Sequence, residues 1–81
     1  MRVKLYGLST CPYCRMTKKY LASNDVEFDL LEVDLLEGQE REDAIATVKE
    51  ISGGKSFPVV VIGDEVIVGF NKVRIKELLS L

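Results

Sequence analysis

Two cysteines, Cys11 and Cys14, stand either side of Pro12 and Tyr13, and they are the only cysteines in a chain that contains no histidine. The candidate nucleophile and redox centre is therefore this pair. At positions i and i+3 of a first helical turn, both side chains lie on one side of the helix within the separation a disulfide spans, so the pair can open and close without refolding the chain. A thiolate attacks disulfides and a thiol hardly does; helix N-termini and nearby cations lower a cysteine pKa from about 8.5 to about 7 in such motifs. Cys11, at or beside the helix cap, has the helix-start N–H groups, with Arg15 and Lys18 as candidate cationic neighbours. Cys14 lies inside the first turn and faces inward, which suits the resolving role: attack on a mixed disulfide and release of the reduced substrate. Without histidine there is no general base for cysteine hydrolase chemistry, and thiol exchange remains.

Zinc is the main rival for the pair. One CxxC supplies two of four tetrahedral ligands, and with no further cysteine or histidine a site would need two chains or added carboxylates. A bridge closing so short a loop removes little chain entropy, which argues against a purely structural disulfide. Glu37, Glu40, Glu42 and Asp43 read as a solvated helix start rather than a metal site, and no metal ligand is assigned. Tyr13, between the cysteines at an exposed helix start, reads as a contact surface for partners. Phe57 and Phe70 suit either the core or an apolar rim for a protein substrate, whereas Val59, Val60, Val61 and Ile62 belong to the core. Lys72, Arg74 and Lys76 read as the solvated face of the last helix; near the site, Lys72 and Arg74 would steer an acidic partner.

The chain has 81 residues, 47% hydrophobic and 30% charged, which fits one small domain with one core. Its 11 basic and 13 acidic residues give a net charge of −2, so no basic field favours nucleic acid or anionic lipid. The first residues carry no apolar run of signal-peptide length, and no stretch approaches a membrane span. A cytoplasmic location is expected, and in a reducing compartment a close cysteine pair is redox-active or metal-binding rather than a staple.

The elements that would position the pair follow from periodicity. Val3 to Leu8 reads as a first strand buried on both faces. Pro12 falls at the first position of a helix on which Cys14, Thr17 and Leu21 recur, as do Met16 and Tyr20, ending near Ser23-Asn24-Asp25. Val26 to Leu35 reads as a second strand, with a change of phase at Leu30-Leu31 that signals a bulge or burial of both faces. A second helix carries Ala44, Ile45, Val48 and Ile51 on its apolar stripe and stops at Gly53-Gly54. Phe57 to Ile62 is a short apolar run suited to a central strand with Pro58 at its entrance. Gly63-Asp64 turns the chain into Glu65 to Gly69, and Asn71 can cap a last helix whose Ile75, Leu78 and Leu79 face inward. The order β-α-β-α-β-β-α predicts an α/β fold: a four-stranded mixed sheet, first two strands parallel, packed with three helices.

That order, with CPYC at the first strand-to-helix junction, resembles the glutaredoxin branch of the thioredoxin fold over nearly the whole chain. The combination is specific: Ser56-Phe57-Pro58 follows about 45 residues after Cys11, and Val68-Gly69-Phe70-Asn71 comes after the hairpin. The resemblance implies that Ser56-Phe57-Pro58 stands where the family has Thr-Val-Pro with a cis proline. It further implies a substrate surface of Thr10, Pro12, Tyr13, Ser56, Phe57, Pro58, Gly69, Phe70 and Asn71 around catalytic Cys11 and Cys14. Glutathione-dependent members usually carry a lysine shortly before the cysteine motif and acidic residues after the glycine that leads into the last helix. Here Ser9 and Thr10 precede Cys11, and Phe70-Asn71 follow Gly69. The segments Pro58-Val59-Val60 and Gly69-Phe70 are more similar to the small glutaredoxin-like redoxins that serve ribonucleotide reductase and are recharged by a reductase. The implied protein is a monomeric thiol-disulfide oxidoreductase with no bound cofactor, only its Cys11–Cys14 disulfide. Its partners are protein disulfides, with ribonucleotide reductase a candidate, and a disulfide reductase, thioredoxin reductase or a ferredoxin-linked one. Glutathione as co-substrate, with deglutathionylation activity, is the alternative. Some glutaredoxins share an iron–sulfur cluster between two subunits, and Pro12 inside the motif argues against that here.

Overall fold

The computed structural model describes residues 2–54 and 57–81. The elements run β1 (Val3–Gly7), α1 (Pro12–Ser23), β2 (Asp29–Glu32), a short 3-10 turn (Val33–Leu35), α2 (Gly38–Ser52), β3 (Val59–Ile62), β4 (Glu65–Val68) and α3 (Lys72–Leu79). The four strands form one mixed sheet in the order β2-β1-β3-β4. Strand β1 pairs parallel with β2 and antiparallel with β3, and β3 pairs antiparallel with β4.

Alternation along the two central strands sends side chains to both faces of this sheet, which is why neither strand shows a polar face. Val3 and Leu5 of β1 and Val60 and Ile62 of β3 pack with Leu21 of α1, Ile67 of β4 and Ile75 of α3. On the opposite face Tyr6 and Val59 pack with Val48 of α2. Helices thus cover both faces, α1 and α3 on one side and α2 on the other. Each fully buried aliphatic side chain contributes about 1.5–3 kcal/mol, and through Leu21 this packing fastens α1 to the sheet. Thr17, buried on α1, is satisfied because its hydroxyl donates to the Tyr13 carbonyl at 2.8 Å.

The second strand is shorter than its sequence predicts. Of Val26 to Leu35 only Asp29–Glu32 is strand. The Val26 N–H bonds back to the Leu21 carbonyl at 3.0 Å and closes the end of α1 instead of entering the sheet. At the other end the chain curls at Val33–Leu35, where the Leu36 N–H bonds Val33 and the Asp34 carboxylate is taken up by Ser9. The phase change at Leu30-Leu31 marks an edge strand: Leu30 is exposed and Leu31 packs beside Tyr6 and Val48. Smaller differences follow the same local bonding. Strand β1 ends at Gly7, β3 begins at Val59 and β4 ends at Val68, while Met16 is exposed on α1. Helix α2 stops at Gly53, whose φ of 72° lies in the left-handed region that glycine adopts without strain. No helix among the described residues is long and apolar enough to cross a membrane.

Candidate active site

Strand directions gather four connections at one end of the sheet. Gly7 ends β1 opposite Glu32, which ends β2, because the two strands are parallel. Val59 begins β3 opposite Tyr6 of β1 and opposite Val68, the last residue of β4, because those pairings are antiparallel. The segment Leu8–Cys11, the turn after β2, Phe57-Pro58 and Gly69–Asn71 therefore meet at the C-terminal end of β1, the edge of an α/β sheet where ligands bind.

The start of α1 makes the two cysteines unequal. Cys11 is the N-cap, extended at φ −81° and ψ 121°, and its Sγ accepts from the Cys14 N–H at 3.4 Å. Pro12 follows at the first helical position, where its missing N–H costs nothing. Cys11 is half-buried and Cys14 is only 1% exposed, and both are free thiols. Desolvation raises the Cys11 pKa, but hydrogen bonds from the Cys14 thiol and from the Cys14 and Tyr13 N–H groups outweigh it, leaving Cys11 below the usual cysteine value. Burial pushes the Cys14 thiol up to about 12, reinforced by its hydrogen bond to Cys11 and opposed by the Leu8 N–H and the Lys18 ammonium. Cys11 thus ionises first, and Cys14 keeps its proton to donate to it.

Two of the expected features change here. Lys18 and Arg15 were candidate cations for Cys11, yet the ammonium of Lys18 favours the thiolate of Cys14 and pairs with Glu32 at 3.6 Å, and Arg15 points its side chain to solvent at the exposed face of α1. Hydrogen bonds, not side-chain cations, lower Cys11. Arg74 is tied into ion pairs with Glu65 at 3.3 Å and Glu77 at 3.5 Å, so it is not a free steering charge; Lys72 lies 5.5 Å over the Tyr20 ring.

Pro58 is buried, and the Phe57–Pro58 bond is cis. The Gly69 N–H donates to the Pro58 carbonyl at 2.7 Å and so fastens the approach to α3 onto the approach to β3. Gly69 holds φ at 84°, a conformation that costs a residue with a Cβ. Phe70 is half-buried, edge-on to Tyr20 with ring centroids 6.0 Å apart. Asn71 caps α3 by accepting the Arg74 N–H at 3.1 Å. Tyr13 is 62% exposed, which makes it surface rather than core, and Thr10, Pro12 and Asn71 are exposed with it. Phe57 is half-buried against Tyr6, Val48 and Val59. Ser56 lies outside the described residues.

Three supporting residues escaped the sequence reading. A Cβ on Gly7 would sit 3.3 Å from both Cβ and Sγ of Cys14, so the missing side chain makes room for the buried thiol. The Leu8 N–H reaches Cys14 Sγ at 3.4 Å. The Asp34 carboxylate accepts from both the Ser9 N–H, at 2.8 Å, and the Ser9 hydroxyl, which hold its pKa below the usual carboxylate range. A glycine ending a hydrophobic strand is the one local signal of such a close approach. A cleft of about 180 Å³ has apolar walls from Leu8, Val33, Ile45, Val48 and Phe57, and Asp34 and Arg41 as its charged residues. Among the described residues no three metal-ligating side chains cluster.

The chain is similar to known proteins. A glutaredoxin family model matches residues 3–67. A glutaredoxin-like 8.6 kDa protein encoded in a rubredoxin operon of Clostridium pasteurianum is 34% identical, covering 96% of this chain and 97% of its own. The crystal structure of a glutaredoxin from Archaeoglobus fulgidus superposes with a TM-score of 0.92 at 46% identity, covering 96% of this chain and 85% of that one. The glutaredoxin-like NrdH-redoxin of Escherichia coli superposes with a TM-score of 0.78 at 28% identity over 96% and 95% of the two chains.

Proposed function

This chain belongs to the glutaredoxin family of thiol-disulfide oxidoreductases with the thioredoxin fold, and from that premise we propose that it is a dithiol carrier that reduces protein disulfides and is recharged by a disulfide reductase. The asymmetry of the two sulfurs carries the reading. The Cys11 thiolate attacks one sulfur of a substrate disulfide, forming a mixed disulfide and expelling a substrate thiolate that takes a proton from water. Cys14 then loses its proton to solvent and its thiolate attacks Cys11 Sγ. The Cys11–substrate bond breaks, the second substrate sulfur leaves as a thiolate that takes a proton from water, and two electrons have passed from the pair to the substrate, leaving Cys11–Cys14 oxidised. A reductase returns those electrons. Pro58 shapes the groove beside Cys11, and the backbone next to it pairs with an extended substrate segment. Tyr13, Phe57 and Phe70 supply apolar contact, with Thr10, Pro12, Gly69 and Asn71 around them.

The residues around the site argue against glutathione as the donor and leave thioredoxin reductase or a ferredoxin-linked reductase. Asn71 offers no negative charge to a γ-glutamyl amino group, and Leu8-Ser9-Thr10 contains no lysine to meet a carboxylate. The E. coli NrdH-redoxin is described as having a thioredoxin-like activity profile, which accords with this choice. Ribonucleotide reductase is the proposed client, and the protein works as a cytoplasmic single-domain monomer. The test offers the oxidised protein three reductants in parallel: glutathione with its reductase, NADPH with thioredoxin reductase, and a ferredoxin-linked disulfide reductase. One of the two reductases is expected to reduce it fastest. Fastest reduction by glutathione would overturn the choice of donor.

A further inference from the structure

Three placements converge on the buried thiol. Lys18 lies four residues after Cys14, one turn along the same face of α1. Its Nζ pairs with Glu32 at 3.6 Å. Glu32 in turn is the residue of β2 directly opposite Gly7, and Gly7 is the residue whose open side abuts Cys14 at 3.3 Å. The pair is no solvated surface bridge, for the two side chains are only 27% and 21% exposed, so water screens the ammonium less than it would at an open surface. Among the described residues, the groups bearing on the charge of Cys14 are Cys11 at the helix start, the Leu8 N–H after β1, Lys18 on its own helix and, through Lys18, Glu32 on β2.

We propose that Lys18, held in place by Glu32, is a positioning residue for the second half of the exchange: its ammonium stabilises the Cys14 thiolate as that sulfur attacks the mixed disulfide on Cys11. This rests on the resolving role given to Cys14 above. Before attack the thiol must shed its proton to solvent inside a buried pocket, and the cation offsets the charge that appears there. The new bond joins Cys14 Sγ to Cys11 Sγ, and the electron pair of the broken bond leaves with the substrate sulfur. Cys11 needs no such help, because Cys14 and the helix-start N–H groups already favour its thiolate.

A stopped-flow reaction of the reduced protein with dithiobis(nitrobenzoate) separates the two halves. Attack by Cys11 releases the first chromogenic thiolate, and attack by Cys14 on the mixed disulfide releases the second. Lys18→Met is expected to slow the second phase about three- to tenfold near neutral pH and to move its pH profile upward, while the first phase changes less than about twofold. Lys18→Arg keeps the charge and restores the second phase. Should Lys18→Met fold poorly, Lys18→Gln provides the same loss of charge with a polar side chain. An unchanged second phase in the charge-free variant, or equal slowing in Lys18→Arg, overturns the proposal. Absence of a second phase in the unmodified protein would instead overturn the resolving role of Cys14 itself.

Discussion

The division of labour between the sulfurs is decided by single hydrogen bonds and by burial, and its most direct consequence is a pH dependence. Cys11 sits below the ordinary cysteine pKa because hydrogen bonds from the Cys14 thiol and two N–H groups outweigh desolvation, while burial raises Cys14. The thiolate of Cys11 therefore forms as pH rises through a value lowered from that of an ordinary cysteine, and disappears below it. Labelling of the reduced protein by iodoacetamide, mapped by mass spectrometry across pH, is expected to place the charge on Cys11 with a midpoint below free cysteine. Cys14 stays unlabelled until the fold opens; equal labelling of both would contradict the assignment. The chemistry of the pair is legible in sequence because both ends of the motif lie within one helical turn. Which cation serves which sulfur is not, because the choice depends on Glu32, a partner of Lys18 contributed by another strand.

Elements built from strong, continuous patterns follow their sequences. Helix α1 runs from Pro12 to Ser23, Asn71 caps α3, and Gly53 ends α2. The second strand does not, because its ends are set by bonds its own residues do not advertise: Val26 to Leu21 and Asp34 to Ser9. The contact between β1 and α1 was equally hidden, since a glycine at position 7 reads as a weak strand residue until Cys14 is seen against it. Its substitution provides a test in which two effects compete. Alanine gains roughly 0.5–1 kcal/mol over glycine in a strand, whereas overpacking against Cys14 costs about 1–3 kcal/mol. With the added Cβ at 3.3 Å from two atoms of Cys14, the cost should win. Gly7→Ala is expected to lower the urea midpoint by an amount equivalent to about 1 kcal/mol; a raised midpoint would mean that α1 yields easily and that the thiol is not tightly seated.

For the molecule as a whole, the order of strands turns scattered residues into one site. Element order, the mixed four-stranded sheet and the three helices are legible from periodicity and turn residues. The meeting of Leu8–Cys11, Phe57-Pro58 and Gly69–Asn71 is legible only through resemblance to glutaredoxins, and so is the cis bond at Pro58. The cleft that joins Leu8, Phe57 and Arg41 is visible in neither, because four separate segments wall it. What the fold delivers is a semi-exposed sulfur at a helix start backed by a buried one, and the central claim is that they act in that order. The measurement that tests it is capture of a protein disulfide substrate by single-cysteine variants, resolved by non-reducing electrophoresis and mass spectrometry. Cys14→Ser should accumulate a stable mixed disulfide through Cys11, and Cys11→Ser should capture little; equal or stronger capture through Cys14 in Cys11→Ser would contradict the account.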